Sequence, residues 1–178
     1  RTYMLVANHL SLLDILVLFR LFYDFKWVSK AEIFKVPVIG WNMRFNGYMP
    51  LKRGDRDSVV EMMAACKKTL AQDSSIMMFP EGTRSKTGVM RDFKTGAFEL
   101  ARDAGVAVIP IVIRGSSDAL PKSGFVLQGK HQITVTVLPE VPVSEVEAMD
   151  TTELTAHVRG LIAAEQLRVG GDAPGEPA

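Results

Sequence analysis

Unbroken apolar runs at residues 3–6 and 76–79, and a longer one at 106–113, have the length and composition of strands covered on both faces. Residues 25–29 and 47–51 give two more strand candidates, and 132–138 alternates apolar with polar, as a strand with one wetter face does. Between them, apolar residues recur every three or four positions at 12–23, 59–71, 95–104 and 151–167, the period of helices burying one side. Residues 30–34 and 38–45 read as short helical pieces separated by Pro37. Asp57 or Ser58 is expected to cap the helix at 59–71, Thr151 or Thr152 the last helix, and Gly105 to close the helix before it. Residues 115–129 read as a loop. Strands alternating with helices predict an α/β fold with a mostly parallel central sheet flanked by helices.

One junction in this pattern carries chemistry. Residues 2–7 form the first strand and residue 12 opens the first helix, so His9 falls where strand gives way to helix. Five residues apart on one helix, His9 and Asp14 would lie about 140° out of register, and on one strand they would face opposite ways. They meet only if His9 precedes the helix and Asp14 lies in its first turn. Ser11 as N-cap and Asp14 as N3 would produce that arrangement. A carboxylate holding one imidazole nitrogen leaves the other free to accept a proton, which is a general-base pair.

Composition narrows the rest. The 178 residues, 47% of them hydrophobic, suffice for one domain with a sizeable core. The net charge of +1 conceals an asymmetry: residues 20–56 carry eight Lys or Arg against three acids, and the final forty residues are acidic. The basic half suits a phosphorylated ligand or an anionic bilayer; nucleic acid is not expected, because no nucleic-acid-reading motif is present. Phe34, Trp41, Phe45 and Tyr48, interleaved with Lys35 and Arg44, suit either a membrane-interface surface or the closure of a core. Cys66, the only cysteine, reads as a core residue, and His9, His131 and His157 lack ligand-spaced partners, so no metal is expected. No apolar run is long enough to span a bilayer. The chain starts at Arg1 and leads at once into a strand, so its natural start is expected to be missing, and residues 169–178 read as a disordered acidic tail behind a domain at 1–168.

Asn8-His9-x-Ser11-x-x-Asp14, Phe79-Pro80-Glu81-Gly82-Thr83-Arg84-Ser85 and Val108-Ile109-Pro110-Ile111-Val112 resemble, in order and spacing, the glycerolipid acyltransferases typified by 1-acylglycerol-3-phosphate acyltransferases. The resemblance covers residues 3–140 and implies a glycerol-3-phosphate acyltransferase-like fold. It implies His9 and Asp14 as the catalytic pair, and Glu81, Gly82, Thr83 and Arg84 as the segment binding the acceptor's phosphate. Residues 47–53 resemble the family's second motif more loosely, keeping Gly47 and Arg53, and Arg53 is expected on the same phosphate. Lys94, just before a helix start, is a further candidate.

The resemblance implies transfer of a fatty acyl group from acyl-CoA or acyl carrier protein to lysophosphatidic acid, giving phosphatidic acid, with no cofactor beyond the acyl donor. A membrane surface is the expected partner, and the cytoplasmic face of the cell membrane the expected location. Glycerol-3-phosphate, another lysophospholipid or a lyso-ornithine lipid are alternative acceptors; a non-catalytic phospholipid-binding module and a hydrolase are rivals of other kinds. No Gly-x-Ser-x-Gly elbow exposes a serine nucleophile, so direct attack by the acceptor hydroxyl is expected.

Overall fold

The computed structural model describes residues 1–85, 89–120 and 129–168. Within them lie strands β1 (Tyr3–Ala7), β2 (Phe25–Lys30), β3 (Met49–Leu51), β4 (Ser75–Met78), β5 (Ala107–Arg114) and β6 (Thr134–Val137). They form one sheet in the order β3-β2-β4-β1-β5-β6, all neighbours parallel except β5 and β6. The α/β class and the mostly parallel sheet are those the hydrophobic pattern predicts. β1 sits between β4 and β5, and its residues alternate between two cores: Met4 and Val6 face one way, Leu5 and Ala7 the other. Burial on both faces is why the run is apolar without alternation.

The helices are α1 (Leu13–Leu18), α2 (Ile39–Phe45), α3 (Arg56–Ala71), α4 (Gly96–Ala104), α5 (Ser116–Ala119), α6 (Val143–Ala148) and α7 (Thr151–Leu167). Helices α3, α4 and α7 contribute Cys66, Phe98, Val158 and Ile162 to the larger core, against Met4, Ile76 and Val108 of the sheet. On the opposite face Leu18 of α1 packs with Leu5, Trp27, Met77 and Ile111. Gly105, at φ 62, closes α4 as expected.

Several boundaries differ from the sequence reading for local reasons. The first helix stops at Leu18, tightens into a 3-10 turn at Phe19–Leu21 and reverses at Phe22, whose φ is 49, so that the chain can return to β2. Asp55, not Asp57 or Ser58, caps α3 by accepting from Ser58 N at 3.2 Å, while the Ser58 hydroxyl accepts from Lys52 N. Asp150, not either threonine, caps α7 through a capping box with Glu153. Residues 116–119 make a helical turn inside the expected loop, and α6 has no counterpart in the hydrophobic pattern: six residues with one buried apolar side chain, Val146, show no period. Residues 121–128 of that loop and the expected tail at 169–178 lie outside the described residues.

Two outcomes test this packing. Asp150→Ala should cost about 0.5–2 kcal/mol in denaturant unfolding while Thr152→Ala, on the exposed face, stays near neutral. Cys66 is fully buried and its burial pushes the thiol up to about 12, so an aromatic disulfide reagent at neutral pH should modify it only when the chain unfolds.

Candidate active site

Asp14 is fully buried in the first turn of α1, and its Oδ2 collects three N–H groups: Leu10 N at 2.6 Å, Ser11 N at 2.8 Å and His9 Nδ1 at 2.9 Å. A carboxylate only accepts, so Nδ1 carries the proton and Nε2 is left as the acceptor. The pairing is the one the five-residue spacing demands, but the cap differs in detail. Leu12 is the N-cap residue, with no side-chain cap, and the buried Ser11 hydroxyl donates to Leu120 O at 2.7 Å while accepting a longer bond from Leu13 N. Ser11 is therefore a tether between the His9 loop and the segment after β5.

The loop is held from three other sides. Asn8 extends β1 with its side chain: Nδ2 donates to Ile113 O at 2.9 Å and Ile113 N donates to Oδ1 at 2.8 Å. His9 N donates to Glu81 Oε1 at 2.7 Å, and Ser85 N donates to His9 O at 2.9 Å, so the segment after β4 grips both sides of the His9 peptide. The imidazole stacks on Phe79 with centroids 3.9 Å apart and planes 11° from parallel, and Phe79 in turn stacks on Trp27.

Glu81 lies elsewhere than on a ligand surface. It is buried, and its second oxygen accepts from Arg91 N at 2.9 Å, so the carboxylate expected at a phosphate instead clamps two backbone amides. Burial pushes its carboxyl up, against the lowering effect of the Arg91 and His9 amides. Gly82, at φ 67, turns the chain with its N–H on Phe79 O, and the Lys94 side chain lies against it: a Cβ there would stand 3.1 Å from Lys94 Cε. Lys94 N donates to Pro80 O at 2.9 Å, joining the two segments.

Beside this turn is a cavity of about 360 Å³ whose lining includes buried Met62 and Met78, half-buried Val28 and Phe79, and exposed Arg53 and Lys94 with Gly82. Three of the predicted residues, Arg53, Gly82 and Lys94, thus share one cavity, with apolar wall and basic rim. Phe79 belongs to the cavity and to the His9 stack, so imidazole and cavity adjoin through one ring. Thr83 and Arg84, half-buried in the same turn, are not among the described residues lining it. Sequence reasoning missed the positioning work of Asn8 and Ser85 and gave Ser11 a cap in place of its bond to Leu120 O; the available signal was polar side chains packed into a motif that interrupts buried apolar runs.

The fold thus sets an oriented imidazole beyond the carboxyl end of a central strand, next to an apolar cavity with a basic rim. The acyltransferase family model matches residues 1–114, and the chain belongs to that family. It is 47% identical over 132 residues to a chloroplastic 1-acyl-sn-glycerol-3-phosphate acyltransferase of Arabidopsis thaliana, covering 73% of this chain and 37% of that protein. It is 33% identical over 136 residues to the 1-acyl-sn-glycerol-3-phosphate acyltransferase of Salmonella typhimurium, covering 76% and 54%. The crystal structure of the Thermotoga maritima 1-acyl-sn-glycerophosphate acyltransferase superposes with a TM-score of 0.82 at 25% identity, covering 97% of this chain and 68% of that one. The chain spans from 34% to 41% of the length of its plant and algal relatives.

Asp14→Ala strips acceptors from the Leu10 and Ser11 amides and should cost about 2–5 kcal/mol in urea unfolding. For Glu81 the sign follows from its raised value. Its folded pKa exceeds the unfolded one, so its contribution to stability is complete below the unfolded pKa and lost as pH rises through the folded one. Melting temperatures should show a larger penalty for Glu81→Gln at about pH 4 than at about pH 7.

Proposed function

We propose that this chain is the catalytic domain of an acyltransferase that moves a fatty acyl group from a coenzyme A or acyl-carrier-protein thioester to the free hydroxyl of lysophosphatidic acid, giving phosphatidic acid. The observation that carries the reading is the buried Asp14–His9 pair, stacked on the ring that also lines the basic-rimmed cavity, in a chain of the acyltransferase family. His9 Nε2 takes the proton as the acceptor oxygen attacks the thioester carbonyl. The carbon–oxygen bond forms, the carbon–sulfur bond breaks, and the thiolate leaves with the proton returned by the imidazolium. General-base help of this kind is worth about 10² to 10⁴ in rate, and joint binding of the two substrates supplies much of the remainder.

Arg53 and Lys94 receive the acceptor's phosphate at the cavity rim, with Gly82 allowing close backbone approach and Thr83 and Arg84 completing the same turn. Met62, Met63 and Val28 offer the apolar side of the cavity to a hydrocarbon chain. Glu81 acts through the backbone of His9. Thiolate is a good leaving group, so the reaction needs no cofactor beyond the donor. The acceptor is a membrane lipid, so the domain works on a membrane surface, on its cytoplasmic face; no described helix is long and apolar enough to cross a bilayer.

His9→Ala should lower turnover by at least about 10²-fold in a coupled thiol-release assay. Arg53→Ala and Lys94→Ala should each raise the acceptor KM or lower kcat/KM by about 1.5–3 kcal/mol, and spare an acceptor without phosphate. Glu81→Gln should lower kcat with acceptor KM little changed, separating a clamp on His9 from a phosphate ligand.

Ser11 distinguishes direct attack from an acyl-enzyme. Its hydroxyl is buried and engaged on Leu120 O, so donor alone should give no burst of thiol and no acylated protein in intact-mass spectra. Ser11→Ala should keep appreciable activity while losing about 1 kcal/mol of stability. Acylation of Ser11 by donor alone, competent to pass to the acceptor, would replace direct attack with a two-step route.

A further inference from the structure

Helix α2 presents apolar surface that no element among the described residues covers. Val38, Trp41 and Phe45 are 69%, 59% and 91% exposed; Trp41 and Phe45, four apart, share one side of the helix, and Val38 is its N-cap residue. The opposite side is fixed: Met43 is buried, and Gly40 sits so close to the Phe34 backbone that a Cβ would stand 2.1 Å from its carbonyl oxygen. The helix therefore cannot roll its apolar side inward. Of the aromatics in this region, Phe34 alone is buried in the fold. Exposed Val36 and Ile39 widen the apolar side.

The charges around the patch are of one sign once local pairs are removed. Glu32 is paired with Lys30 at 3.6 Å and Asp55 with Lys52 at 2.9 Å, while Lys35 and Arg44 are exposed within and beside α2. A short helix that shows Trp and Phe on one side and cations at its borders matches the headgroup boundary of an anionic bilayer: Trp at headgroup depth, Phe deeper, Lys and Arg on the phosphates. Seven residues are too few to span it. Only the 3-10 turn at Ala31–Lys35 separates the segment from Lys30, which lines the cavity together with Ser29, Arg53 and Gly54.

We propose that residues 36–45, centred on α2, form a docking surface that inserts Val38, Trp41 and Phe45 into the interface of an anionic bilayer and seats the rim of the cavity next to the lipid headgroups. The inference rests on the proposed reaction only for its purpose, since lipid binding is measurable without turnover. A membrane-held acceptor then reaches Arg53 without its acyl chain crossing water.

The chain contains two tryptophans, and Trp27 is buried at 4% exposure, so Trp41 is the reporter. With vesicles of phosphatidylcholine and phosphatidylglycerol, tryptophan emission should shift to the blue and be quenched by brominated lipid, and Trp41→Phe should abolish both changes. Phe45→Ser should raise the lipid concentration for half-binding by about tenfold or more. Lys35→Glu and Arg44→Glu should each raise it about fivefold with anionic vesicles and little with phosphatidylcholine alone. Each variant should keep the parent's melting behaviour and its turnover on water-soluble short-chain acceptor and donor. No shift with vesicles, or a shift that follows protein concentration without lipid and disappears in Phe45→Ser, would overturn the proposal; the latter would assign the patch to a second copy of the chain. Lipid binding lost in Phe45→Ser but no acyl transfer by the parent would sink the proposed reaction and leave the docking surface standing. Acyl transfer with parental vesicle binding in Phe45→Ser would do the reverse.

Discussion

The buried carboxylate of Asp14 is the constraint from which the site follows. A fully buried carboxylate is costly unless its charge is met by donors, and here one oxygen gathers two consecutive backbone amides and an imidazole within 2.9 Å. Those three donors can converge only if residues 9–11 curl around the first turn of α1. The same contacts that make the buried charge tolerable therefore fix the tautomer and direction of His9. Stability and the orientation of His9 are coupled at this point, because a loosened loop would leave both an unsatisfied anion and a freely turning imidazole.

A second carboxylate repeats the principle one strand away. Glu81 spends its two oxygens on the amides of His9 and Arg91, tying the loops after β1 and β4 to each other and to the segment leading into α4. Parallel strands bring their carboxyl ends to one edge, and loops there have backbone groups that the sheet no longer satisfies. Side chains of Asn8, Ser11, Asp14 and Glu81 supply those partners. The polar residues of the site are thus in large part the site's own scaffold. Farther out, at the rim of the cavity, lie the exposed Arg53 and Lys94.

Between scaffold and rim stands Phe79. It is half-buried, stacked on His9 on one side and exposed to the cavity on another, and backed by Trp27. An aromatic ring in this position excludes water from the imidazole while giving an apolar wall to the cavity. The same division appears at larger scale: a sheet core that is dry on both faces, and an outer segment at 36–45 whose apolar side chains are held outward by the close packing of Gly40 on Phe34.

The periodicity of the apolar residues determined the order of the strands and of helices α1, α3, α4 and α7, the α/β class and the two-sided burial of β1, because burial on one or both faces writes itself into spacing. The His9–Asp14 contact was legible for the same reason: five residues across a strand-to-helix junction leave one way to meet. Caps were less legible, since Asp55 and Ser58, or Asp150 and Thr151, are all competent by residue type and only the backbone's path selects one. The roles of Glu81, Asn8 and Ser11 were decided by tertiary structure alone. Their partners are 72, 105 and 109 residues away, and no local pattern encodes which distant amide or carbonyl a strand order will bring within hydrogen-bond reach. The direction in which α2 faces was decided the same way: its sequence, apolar on more than one side, fits either burial or exposure, and the contact of Gly40 with Phe34 chose between them.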